Sequence, residues 1–268
     1  MGEYTALLET DSAREMRAYA RAFADTNASA LATYGQRWVK NPMEHWSRLW
    51  EYPFVYESIA EAAGRSGPRP LRVLDAGSGA TFFPYFLMDH LTNLEVTCWD
   101  SDASLAAIHE ALNAGARGRA RFEVRDLQAP PDVARPFDVI YCISVLEHLP
   151  RRDETVRAFR KMLARGGLLV VTFDVSLEHG GEIPLAEARG LARHLETVFP
   201  SHDESERASS RDLAIGGDAL TTRSIRAWDP RLLPWRPSIR GAIASLVRLR
   251  PSLSHFNNLT CYCGAYRA

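Results

Sequence analysis

From Leu71 onward the sequence alternates short apolar runs with amphipathic stretches, and this alternation narrows the possible folds more than any other feature. "LRVLDA", "LEVTCWD", "ARFEVRD", "FDVIYCIS" and "GGLLVVTFDV" read as strands; Phe82 to Leu91, Ser104 to Ala114 and Arg152 to Leu163 read as helices between them. Near-continuous apolar strands are buried on both faces, and strand–helix alternation calls for parallel strands joined by right-handed crossovers. A doubly wound, mostly parallel α/β sheet is expected, with "NLTCYCGAYRA" as its last strand.

The flanking segments read differently. Residues 11–34 carry helical spacing at Met16, Tyr19, Ala20 and Phe23, and an aromatic-rich helix is expected from Met43 to Ala63. "GRSGPRP" then breaks the chain, so residues 1–66 are assigned to an N-terminal helical segment and residues 67–268 to the core. After Val175 a helix is expected at Leu185 to Val198. Then come the polar stretch "SHDESERASSRD" and an arginine-rich segment, Arg223 to Arg250, whose one acid is Asp229.

Chain-wide quantities mainly exclude. A length of 268 residues suits one domain with elaborations, and a net charge of -1 predicts no general attraction to nucleic acid or acidic membranes. No apolar run approaches the roughly 20 residues of a membrane span, and the N-terminus lacks a secretory pattern, so a cytoplasmic protein is expected. Cys98, Cys142, Cys261 and Cys263 lack paired C-x-x-C spacing and read as buried thiols; a metal on Cys261 and Cys263 would lack histidine partners, and no metal site is assigned.

The stretch "VLDAGSGATFFP" puts an acid and two glycines directly after the first strand. In open α/β sheets ligands bind outside the carboxyl ends of the strands, where strand order reverses, and glycine there allows close backbone approach. A dinucleotide fingerprint would need a third glycine where this chain has Phe82, and Asp75 would repel a pyrophosphate. S-adenosylmethionine has an ammonium, a sulfonium and no phosphate, so it suits the same residues. Thr81 is expected to cap the next helix, with Pro84 tolerated in its first turn.

"LDAGSG" resembles the first motif of class I S-adenosylmethionine-dependent methyltransferases, and "VTCWDSD", "EVRDL", "FDVIYCISVLEHLP" and "LARGGLLVVTF" resemble its later motifs in order. The resemblance covers Leu71 to Val175. It implies a seven-stranded Rossmann-like sheet with residues 1–66 as a helical lid and a substrate-cap insertion at about 200–256. It also implies that S-adenosyl-L-methionine is the cofactor, with Asp100 on the ribose hydroxyls, Asp126 on the adenine, and Ile143 and Ser144 at the methionine end. Asp75, Gly77, Ser78, Gly79, Ser101 and Leu127 complete the expected cofactor set, with Tyr34 and Trp38 closing over it from the lid.

His148 is the expected base, because an imidazole titrates near neutrality. Glu147, Tyr56 and Asp174 are expected on the substrate side. A small-molecule acceptor follows, methylated at oxygen in a natural-product or glycan pathway and anionic if the arginine-rich segment reaches it, with a monomer or homodimer as the assembly. The alternatives are N-methylation of a small amine and a nicotinamide-dependent oxidoreductase on the same fold.

Overall fold

The computed structural model describes residues 9–116, 118–130, 132–177, 183–200, 221–222, 225, 233 and 259–268. The expected cap at 200–256 and the Arg223 to Arg250 segment lie almost wholly outside these residues.

Among the described residues, three helices precede the sheet: α1 (Asp11–Thr26), α2 (Tyr34–Arg37) and, after a 3-10 turn at Pro42–Glu44, α3 (Arg48–Arg65). Thr10 caps α1, its hydroxyl accepting the Ala13 N–H at 3.2 Å. The helix expected over residues 11–34 ends at Thr26, with turns over residues 27–33, and the one expected from Met43 begins at Arg48. Asn41 explains the second difference: its side chain accepts the Met43 N–H at 3.1 Å, fixing a 3-10 turn where the aromatic periodicity alone suggested helix.

Then follow β1 (Leu71–Ala76), α4 (Phe83–His90), β2 (Leu94–Asp100), α5 (Leu105–Gly115), β3 (Arg121–Val124) and β4 (Phe137–Ile143). After a 3-10 turn at Leu146–His148 come α6 (Arg152–Met162), β5 (Leu163–Ser176), β6 (Ile183–Pro184), α7 (Leu185–Val198) and β7 (Leu259–Arg267). The seven strands form one sheet in the order β3-β2-β1-β4-β5, with β7 antiparallel along β5. The two-residue β6 pairs with Val175 and Ser176, where β5 projects beyond its pairing with β4. All other pairings are parallel, and strand order reverses between β1 and β4.

Alternation along each strand sorts the core into two layers. Val73, Cys98, Val139, Tyr141, Leu168, Val170, Cys261 and Cys263 face α1, α3, α4 and α5. Leu74, Trp99, Ile140, Cys142, Leu169 and Val171 face α6 and α7. All four cysteines are buried and unbridged, as their spacing predicted. Phe82 and Phe83 are both core: Phe83 packs between Tyr52, at 4.8 Å between ring centroids, and Tyr141, at 5.4 Å. Phe82, not Thr81, precedes α4, and no side chain caps that helix; Pro84 occupies its first turn.

The Phe82–Phe83 pair fastens the N-terminal helices to the sheet. Phe83→Ala would open a cavity between two layers and is expected to destabilise the protein by about 3–5 kcal/mol. Urea unfolding of the variant against the parent checks this.

Candidate active site

The reversal between β1 and β4 opens a cavity of about 560 Å³ at the carboxyl ends of the strands, a size suited to a cofactor with a small co-substrate. Of the residues expected from sequence, every one except Tyr56 lines it. Tyr56 packs its ring on Phe86 at 5.2 Å instead. It lies one turn, about 6 Å, beyond Tyr52 on α3, away from the strand ends.

The floor is the β1–α4 loop. Gly77 and Gly79 have φ of 80° and 54°, in the left-handed region glycine tolerates. A Cβ on Gly77 would approach Val145 to 2.5 Å, and one on Gly79 would collide with the Tyr34 hydroxyl. The Gly77 and Ser78 N–H groups bond the Trp99 carbonyl at 2.8 and 3.0 Å, tying the loop to β2. His109 of α5 stacks on Phe122, and its Nε2 meets the Gly79 carbonyl at 2.8 Å, holding the loop from below. Nothing in its sequence context distinguishes His109 from any other buried helix residue.

Three acids end three consecutive strands or the turns just after them. Asp75 closes β1 next to Cys98 on one side and Tyr141 on the other, so all three project to the same face. Burial pushes the Asp75 carboxyl up to about 8; the Asp100 charge adds to the shift and the Tyr141 phenol opposes it. Asp100 accepts the N–H groups of Gly79 and Asp102, each at 3.0 Å. A carboxylate has about four acceptor sites, so two remain for a ligand. Asp126 is exposed at the cavity edge, where one oxygen accepts the Gln128 N–H at 2.8 Å. Ser101 and Leu127 complete this end.

The opposite wall contains a network that sequence reading missed. Glu51, fully buried on α3, accepts from the Thr172 hydroxyl at 2.7 Å and the Ser144 hydroxyl at 2.6 Å. Arg48, one turn earlier, donates through one nitrogen to both Glu51 and Ser144. Burial works to raise the Glu51 carboxyl, but Arg48 and the two hydroxyls outweigh it and hold Glu51 below the usual carboxylate range. Ser144 itself has φ of 47°, and the bonds around it support this uncommon backbone. A glutamate among buried aromatics in "RLWEYPF" was the available signal, because an acid there needs a partner.

Beyond Ser144, the 3-10 turn carries Glu147 and His148. Arg152 pins this turn, donating to the carbonyls of Leu146 at 3.0 Å and Glu147 at 3.1 Å. Glu147 is buried, one carboxylate oxygen accepting the Asp174 N–H at 3.2 Å. Its carboxyl is pushed up to about 8 by burial; Glu51 adds to the shift and Arg48 opposes it. His148 is exposed at the cavity mouth with Trp38, whose side chain stays 58% exposed. His45, also lining the cavity, is lowered to about 4 by burial and then by the Arg48 charge, so it is neutral at physiological pH. Among the described residues no cluster of three potential metal ligands occurs, and no helix is long and apolar enough to cross a membrane.

Asp75 and Glu147 impose a pH dependence on the protein without ligands. A carboxyl raised on folding makes the native state bind more protons than the unfolded chain between its ordinary value near 4 and about 8. Its favourable contribution is full below that window and disappears as pH rises through it. Asp75→Asn and Glu147→Gln are therefore expected to flatten the loss of stability between pH 5 and 8. Unchanged slopes in urea midpoints measured across that range would contradict this.

Comparison with known proteins agrees with this geometry. Residues 74–169 match a family model described as a methyltransferase domain. The chain is similar to a ubiquinone biosynthesis O-methyltransferase of Caulobacter sp., 32% identical over 111 residues, which covers 40% of this chain and 42% of the relative. It is also similar to an uncharacterized protein of Synechococcus sp., 32% identical over 122 residues, covering 45% of this chain and 29% of the relative. The chain thus spans less than half the length of both curated relatives. Among solved structures, the cyclase SpnF matches with a TM-score of 0.52 at 20% identity, covering 83% of this chain and 82% of that one. A protein of Bacillus halodurans C-125, described as a candidate methyltransferase, matches with a TM-score of 0.50 at 10% identity, covering 80% of this chain and 96% of that one. Residues 74–169 are thus similar to a methyltransferase domain, and the strand order and the strand-end positions of Asp75, Asp100 and Asp126 agree with that match.

Proposed function

We propose that the protein transfers a methyl group from S-adenosylmethionine to a small molecule bound in this cavity. The observation that carries the reading is the convergence of Asp75, Asp100 and Asp126 around a loop whose Gly77 and Gly79 leave no room for a Cβ. The cofactor, when bound, supplies an activated methyl group on a cationic sulfur.

The residues present fit such a molecule. The remaining acceptor sites of Asp100 suit a pair of ribose hydroxyls, and Asp126 with Leu127 suits an amino-bearing base at the open end. Asp75, unfavourably charged when buried alone, suits a cation, and a bound ammonium would draw its carboxyl back towards the ionised form. Arg48 donates through one nitrogen to Glu51 and Ser144 and is among the residues lining the cavity, and a guanidinium there suits a carboxylate. A pyrophosphate would face Asp75 and lack the third glycine, because Phe82 fills that place in the core.

Residues 1–66 act as a lid in this reading. Tyr34, over Gly79, and Trp38, at the mouth, come from this segment, and closure around them would exclude water from the transfer. His148 at the mouth is placed to pass a proton to solvent. The neighbouring relatives include an O-methyltransferase, which supports a small-molecule acceptor.

Calorimetric titration with S-adenosylmethionine, S-adenosylhomocysteine and NADH tests the reading. Roughly micromolar affinity for the first two is expected, falling at least about tenfold in Asp100→Ala and in Gly79→Ala. Binding of NADH alone would replace the reading with a redox one.

A further inference from the structure

We propose that the acceptor presents an uncharged apolar body, a ring or a hydrocarbon chain, that packs on Trp38 and Val39 at the mouth of the cavity. This rests on the methyltransferase reading above and names the class of molecule that its rim selects. It departs from the glycan and anionic acceptors that the sequence suggested, and it assigns Trp38 to the acceptor instead of the cofactor.

Residues 34–48 form a strap across the cavity. At one end the Tyr34 hydroxyl lies over Gly79, in the loop after β1; at the other, Arg48 donates to Ser144, just after β4. Both halves are anchored: Leu31 is buried just before the strap, and Pro42, Met43 and Trp46 are buried along its second half. Between these anchors the Trp38 N–H bonds the Tyr34 carbonyl at 2.9 Å, and the Lys40 stem folds back against Gly35, where a Cβ would collide with it. This reversal leaves Trp38 and Val39 at the tip of the strap.

Trp38 is 58% exposed and its neighbour Val39 48%, and both line the cavity. Among the described residues the other exposed large apolar side chain is Val124, on β3 and outside the lining. A single exposed apolar side chain is ordinary, but two together at the rim of a ligand cavity form a surface that gains by being covered. The cofactor's hydroxyls, base and charged end are matched at the strand ends by Asp100, Asp126, Asp75 and Arg48, which leaves the rim to the acceptor.

Side-chain chemistry then selects among acceptors. Pro42, Val145 and Leu149 belong to the same lining, and His45 is neutral at physiological pH. A sugar could stack on Trp38 but would find no hydrogen-bond partner in the side chains of Val39, Pro42 or Leu149. A ring or alkyl chain gains from all of them, in proportion to the apolar area taken out of water. An acceptor held by its apolar end presents its polar end to the interior, where the methyl group is delivered.

The test titrates phenol, 4-ethylphenol, 4-butylphenol and, as the polar control, glucose into the full chain saturated with S-adenosylhomocysteine, by calorimetry. Affinity is expected to rise about two- to fourfold for each added CH2, with glucose the weakest. Trp38→Ser combined with Val39→Ser should cut the rise to below about 1.5-fold per CH2, whereas Trp38→Phe should keep it. Both positions are exposed, so these variants are expected to fold, and S-adenosylhomocysteine affinity should stay within about threefold of the parent. No rise in the parent, including no detectable binding of any probe, overturns the proposal while S-adenosylhomocysteine binding leaves the methyltransferase reading standing. A rise that survives the double substitution also overturns it, as does a double variant that loses S-adenosylhomocysteine, because Trp38 and Val39 then serve the cofactor. A dimer of the parent that the double substitution dissociates, or flotation of the parent with phosphatidylcholine vesicles, would overturn it as well, because a second copy or lipid then covers the tip. Failure of the parent to bind S-adenosylhomocysteine would remove both readings together.

Discussion

The buried contact between Glu51 and the ends of β4 and β5 is the interaction on which the site depends. One carboxylate on α3 takes hydrogen bonds from Ser144 and Thr172 and pairs with Arg48, joining a helix of the N-terminal segment to the strand ends across the cavity wall. A buried ion pair is weak evidence of net stability, because the desolvation of both charges offsets their attraction. Its value here is positional. It fixes where α3 lies, and with it Arg48, Tyr52 and the preceding stretch that brings Tyr34 over Gly79. It also supports the left-handed backbone of Ser144, from which β4 turns towards Glu147 and His148.

The chemistry collects on one face of the sheet for a geometric reason. Side chains two residues apart share a face, so Asp75 lies with Val73, and Asp174 with Thr172. This is the face that α3 covers, which is why a helix outside the strand–helix rhythm of the core can contribute Arg48 and Tyr52 to the cavity wall. The other face, packed under α6 and α7, carries the second apolar cluster, with Leu74, Ile140, Leu169 and Val171 among it, and acts as support.

The core was legible in the sequence because its signals are local. Each apolar run predicts its own strand, and Asp75, Gly77 and Gly79 follow the first one within a few residues. Asp100 and Asp126 could be placed because strand ends in such sheets point to one crevice. The Glu51 network was not legible, because its partners lie 93 and 121 residues away in the chain and no periodicity links them. His109 was missed for the same reason, since its Gly79 carbonyl lies 30 residues away, and Arg152 was missed because it acts on backbone carbonyls of a nearby turn, which carry no residue signal. Tyr56 was misplaced because an aromatic run on a helix does not reveal which turn reaches the strand ends. The loop between Leu91 and Leu94 shows a different limit: Asn93 has φ of 59°, a conformation asparagine tolerates without any neighbouring motif to announce it.

The central claim is that the strand ends and the N-terminal helices hold S-adenosylmethionine between them. A crystal structure of the protein with S-adenosylhomocysteine tests it most directly. The account predicts the ribose hydroxyls on Asp100, the base beside Asp126 and Leu127, and the amino-acid end between Asp75 and Arg48 under Tyr34. The ligand seated elsewhere, or lying along the strand ends with its amino-acid end towards Asp126, would contradict it.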